Sequence, residues 1–134
     1  MLERIGRFIQ PVQGSAEPAP DDAAILLCEF RGVIHDGSSG NLAVEAMAHT
    51  IEHALSRGCF RAVLLDITAV RYTFGDQALG LLMRLRHRGL GLALVVSEQC
   101  NQLGTFAQAM GGWTVCTSRR DALQKLRSAA EGDA

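Results

Sequence analysis

Aromatic side chains are scarce in this 134-residue chain: five Phe, one Tyr and one Trp, together 5% of the residues. A core of that size must therefore be aliphatic, built from Leu, Val, Ile, Ala and Met. Charge of one sign is also missing. Thirteen Lys and Arg face fourteen Asp and Glu, for a net charge of −1. No global electrostatic attraction draws the chain to nucleic acid or to an anionic membrane. No apolar run approaches the ~20 residues of a membrane span, and 1–13 (MLERIGRFIQPVQ) has no apolar stretch of the signal-peptide kind. The four cysteines, Cys28, Cys59, Cys100 and Cys116, form no C-x-x-C pair. Cys28 and Cys116 fall in predicted strands, where a free thiol behaves as a small hydrophobe. They read as reduced thiols, and the expected location is the cytoplasm.

What is present suits one domain. Hydrophobic residues make up 48% of the chain and charged residues 20%, as in a soluble globular protein that needs no disulfide or metal. A chain of this length buries about two-thirds of its unfolded surface. Residues 1–128 are expected to form the domain and 129–134 a frayed tail. Two of the three prolines lie in 13–22 (QGSAEPAPDD), which reads as a flexible loop. A weak edge strand is expected before it at 4–12, limited by Pro11.

Three apolar runs read as buried strands: 23–34 (AAILLCEFRGVI), 60–68 (FRAVLLDIT) and 90–97 (LGLALVVS). Their continuous apolar character suits a sheet covered on both faces. Gly32 marks a bulge or close approach. Between them, Val44, Met47, Ala48, Ile51 and Leu55 repeat at helical spacing over 41–57, and Ala78, Leu81, Leu82 and Leu85 do so over 76–88. A shorter helix over 100–110, a strand at 113–116 and a last helix after Ser118 complete the chain. Ser118 and Asp121 resemble a capping box with Asp in place of Glu. The order β-β-α-β-α-β-α-β-α predicts an α/β fold: a mixed, mostly parallel sheet of about five strands with four helices.

Several motifs invite catalytic readings. His49-Thr50-Ile51-Glu52-His53 matches the inverted zincin pattern H-x-x-E-H, but it lies on an exposed helix face with no evident third ligand. No metal and no cofactor are therefore expected. Gly89-Leu90-Gly91 stands between helix and strand, the reverse of a dinucleotide fingerprint. Asp66 ends an apolar strand run, where a carboxylate commonly binds loop amides. Trp113 is assigned to packing. No nucleophile and base pair emerges from the spacing, so the chain is read as non-enzymatic.

The run from Phe30-Arg31-Gly32-Val33-Ile34 through Val63-Leu64-Leu65-Asp66-Ile67 and Ala78-Leu79-Gly80-Leu81-Leu82 to Thr117-Ser118-Arg119-Arg120-Asp121-Ala122-Leu123 resembles the STAS domain. This is the fold of bacterial anti-sigma-factor antagonists and of the cytoplasmic tails of sulfate transporters. The resemblance spans roughly 23–127. It implies a signature loop whose serine or threonine accepts phosphate from an anti-sigma kinase. This chain reads Thr73-Phe74-Gly75-Asp76-Gln77 there. Counting forward from Asp66 puts Asp76 at the acceptor position, and counting back from Leu79-Gly80 puts Gln77 there. Neither is a hydroxyl, so the ordinary phosphoryl switch looks absent. Asp76 is expected to cap the following helix and to hold a fixed charge of −1, against −1.5 to −2 for phosphoserine. Thr73 is the nearest hydroxyl.

The resemblance thus implies a regulatory module that binds a protein, of the anti-sigma or switch-kinase type or a signalling complex. Its expected binding residues are Thr73, Phe74, Gly75, Asp76 and Gln77, with Arg84, His87 and Arg88 on the adjoining helix as a basic docking patch. A small-ligand or nucleotide-binding STAS-like domain, with a small anionic ligand, is the alternative. A homodimer is a further option.

Overall fold

The first hairpin departs most from expectation. In the computed structural model, which describes residues 12–35, 38–72 and 78–132, strand β1 spans Val12–Ala19 and β2 spans Asp22–Ile34. They pair antiparallel, with Val12 opposite Gly32 and Glu17 opposite Leu27, and turn at Pro20-Asp21. The stretch 13–22 is therefore strand and turn for almost its whole length, not a flexible loop. Its composition misleads because β1 is an edge strand. Only Val12 and Ala19 are buried, so no apolar alternation shows. Pro18 sits where an edge tolerates proline. Gly14 is required by close approach: a Cβ there would overlap the Glu29 carbonyl and the Phe30 ring. The rest of the expected first strand, 4–11, lies outside the described residues.

Strands β3 (Ala62–Tyr72), β4 (Gly91–Val95) and β5 (Thr114–Cys116) continue the sheet parallel to β2, in the order β1-β2-β3-β4-β5. The interruption expected at Gly32 falls just before it. The β2–β3 register slips between Glu29 and Arg31, and Gly32 takes a φ of 129° that disfavours other residues. Strand β3 also runs past Thr68, because Val70 and Tyr72 are buried and pair with Gly32 and Ile34.

Alternation along the strands divides the core in two. Leu26, Cys28, Val63, Leu65, Ile67, Leu92 and Leu94 face one side. There they meet α1 (Ser38–Ser56), α2 (Leu79–Arg86) and α3 (Asn101–Met110, after a 3₁₀ turn at Glu98–Cys100). Ile25, Ala62, Leu64, Ala93 and Val95 face the other side, where Ala122 and Leu126 of α4 (Arg119–Gly132) cover them. Burial on both faces explains the unbroken apolar runs. Among the described residues the sheet is thus mixed and mostly parallel, with four helices, as the element order predicts.

Helix α2 is shorter than the expected 76–88. Its N-cap is Ala78, which makes no side-chain cap bond, and Gly89 closes it with a φ of 75°. The last helix continues through Gly132, so 129–132 are helical, not frayed. The Asp121–Lys125 ion pair at 3.4 Å and the helix-forming Ala129-Ala130-Glu131 run favour this. At its start the Asp121 amide donates to Ser118 Oγ at 3.1 Å, half of the expected box. Trp113 Nε1 donates to the Leu82 carbonyl at 3.3 Å, packing the entry to β5 against α2. Among the described residues no helix is long and apolar enough to cross a membrane.

Candidate functional site

The segment expected to carry function, Thr73, Phe74, Gly75, Asp76 and Gln77, lies outside the described residues. In sequence it follows Tyr72, the last residue of β3, and precedes Ala78, the N-cap of α2. The N-cap of the described helix is Ala78, and the capping role expected of Asp76 falls outside the described residues.

The basic residues of α2 are engaged with their neighbours. Arg88 holds Glu52 of α1 through both Nε, at 3.3 Å, and Nη2. Arg84 Nη2 lies 3.9 Å from Glu45 of α1. Arg86 Nε donates to the Gly111 carbonyl at 2.9 Å. His87 is exposed at the helix C-cap. Arginines 84 and 88 thus stitch α2 to α1, and their charge is compensated on that face. Two large hydrophobic side chains are left exposed among the described residues, Leu42 of α1 at 70% and Met83 of α2 at 49%. Leu42 lies one turn before Glu45, and Met83 directly precedes Arg84.

Across the sheet the structure assembles a second polar group, of which the sequence singled out only Asp66. That residue is the one buried charged side chain among those described. Its Oδ1 accepts from the Thr68 amide at 3.0 Å and the Thr68 hydroxyl at 2.8 Å. Its Oδ2 accepts from Arg119 Nε at 3.1 Å and Nη2 at 2.7 Å. Arg119 also pairs with Glu29, the neighbour of Asp66 on β2. Burial pushes the Asp66 carboxyl up, but the Thr68 and Arg119 hydrogen bonds together with the Arg119 charge outweigh it. The carboxyl is held below its usual value of 3.8. The expected loop-amide contact is thus the Thr68 bond. Arg119 was legible in principle: Asp66 shares the face of Leu64, which α4 covers, and Arg119 opens α4. Glu29, Arg31, Asp66 and Thr68 line a cleft of about 640 Å³ with the Gln13–Ser15 stretch of β1.

On the opposite side of the sheet, His49 and His53 have nearly parallel rings with centroids 6.2 Å apart. Among the described residues no three His, Cys, Asp or Glu side chains converge as a metal set. The pair instead borders a groove of about 470 Å³ between α1 and β1.

Neither a protein-family model nor a curated protein matches the sequence. The fold does have a solved counterpart, an anti-sigma factor antagonist from Mycobacterium paratuberculosis. The two superpose with a TM-score of 0.66 at 16% identity, over 87% of this chain and 94% of the other. Likeness at that identity is likeness of fold.

Proposed function

We propose that this chain is a non-catalytic regulatory module that binds a protein partner of the anti-sigma or switch-kinase type through 73–77 and α2. The observation that carries the reading is the fold shared with an anti-sigma factor antagonist over nearly the full length of both chains. The exposed Met83 on α2 supports it. An exposed large apolar side chain among charged neighbours suits a protein-contacting surface. In this reading the arginines at 84 and 88 fix the docking surface by holding α2 to α1, and the binding contacts come from Met83, Leu42, His87 and the segment 73–77. Asp76 supplies a constant negative charge near the usual phospho-acceptor position, so the module stays in one state. Asp66 is assigned to structure, because both of its oxygens already accept hydrogen bonds and a held-down carboxyl makes a poor base.

The test is affinity capture from native extract with the full chain, followed by incubation with ATP. The expected result is capture of an ATP-binding kinase by wild type, at least tenfold weaker capture by Met83→Asp, and phosphate incorporation into Asp76→Ser only. Capture of no kinase, or equal capture by Met83→Asp, overturns the reading.

A further inference from the structure

The groove between α1 and β1 combines an apolar floor with a basic wall. We propose that it is a binding site for a small amphipathic carboxylate, with an aliphatic chain on the floor and the carboxylate against His53 and Arg57.

His49, His53 and Arg57 follow one another at four-residue steps along α1 and just past its end. Side chains so spaced are neighbours on one helix face, and the row extends about 12 Å at the helical rise. Beneath it, the half-buried Ala16, Ala54 and Phe60 leave open apolar surface. Among the described residues no acidic side chain lines the groove. Glu17, between Ala16 and Pro18, belongs to the other face of the sheet, as its pairing with Leu27 requires.

Among the described residues the Arg57 charge is uncompensated. Arg61, Arg84, Arg88, Arg119 and Arg127 each lie within ion-pair distance of a carboxylate. Arg57 has no such partner among the described residues. The Thr50 hydroxyl in the same wall already donates to the Ala46 carbonyl at 3.0 Å, so the donors on offer are the imidazoles and the guanidinium. Cations near a helix C-terminus also complement its dipole, but that role needs no open apolar floor beside them. A volume of about 470 Å³ lies within the ~300–1,000 Å³ of small-molecule sites. A charged head and an apolar body match both halves of the groove, whereas a plain anion or a neutral chain matches only one.

The experiment titrates the full chain with sodium octanoate, 1-octanol or sodium acetate and follows backbone amides by NMR. The wild type and the double variant His53→Gln/Arg57→Gln are compared, and both changes lie on the surface. Octanoate is expected to bind saturably and to shift the amides of Ala16, Ala54 and Phe60. Octanol and the double variant are each expected to lose about tenfold or more in affinity, the scale of a charge-assisted contact, and acetate to shift none of these amides. Four results overturn the proposal: no saturable octanoate binding at these amides, octanol binding equal to octanoate, acetate occupying the site, or a double variant with unchanged affinity. The site is separate from α2 and from 73–77, so failure here and failure of partner capture are read independently.

Discussion

Asp66 shows how one buried charge is held. A carboxylate taken out of water needs hydrogen bonds and a counter-charge, and Thr68 and Arg119 supply them. Replacing Asp66 with Asn removes the charge and mismatches the Arg119 fork. Asp66→Asn is expected to cost about 1–3 kcal/mol at neutral pH, measured by urea denaturation. The pH dependence has a definite sign. The folded carboxyl lies below 3.8, so its contribution is complete above that value and is lost as pH falls through the lower folded value. The stability gap between wild type and Asp66→Asn should therefore narrow in acid. An unchanged gap down to pH 2 would show that the Arg119 contact is not linked to this proton. In the sequence Asp66 was visible as a strand-end carboxylate. Its cation was not, because Arg119 is 53 residues away and only the α4 crossing brings it back.

Elements were legible where burial leaves a period and illegible where it does not. Helix α1 and the cores of β2, β3 and β4 carry their apolar spacing on their face, and the structure places them close to where that spacing puts them. Strand β1 carries none, since most of its residues face water and its Gly and Pro imitate a turn. The expected bounds of α2 rest on Asp76 as a cap, whereas the described helix opens after its N-cap Ala78. That helix of eight residues is held by Trp113, Arg86 and Arg88 more than by its own propensity. Gly80, on its exposed side, has open space where a Cβ would be. Gly80→Ala should accordingly stabilise the protein by about 0.5–1 kcal/mol. The check is thermal unfolding, and a lower midpoint would mean that Gly80 serves a backbone geometry the open space does not reveal.

At the scale of the whole molecule, the two-layered core decides chemical reactivity. Cys28, Cys100 and Cys116 are buried and Cys59 is exposed. Burial pushes the Cys28 thiol up to about 12 and raises Cys116 as well, so neither offers a thiolate near neutrality. Titration with a thiol reagent should find one reactive group in the native protein and four after denaturation. More than one fast group in the native protein would contradict this packing. The fold was legible because alternating strands and helices leave few topologies open. The candidate segment 73–77 rests on family resemblance alone, since its residues carry no period, and it lies outside the described residues. The order of the sheet also bears on how the chain is made. Each strand lies beside its predecessor in sequence, so during synthesis every new strand meets an edge already waiting for it. The exception is the charge on β3. At ~5–20 residues per second, roughly 3–10 s separate Asp66 from the arrival of Arg119, 53 residues later. Until then the nascent sheet holds an unanswered carboxylate, and the last helix both closes the fold and neutralises it.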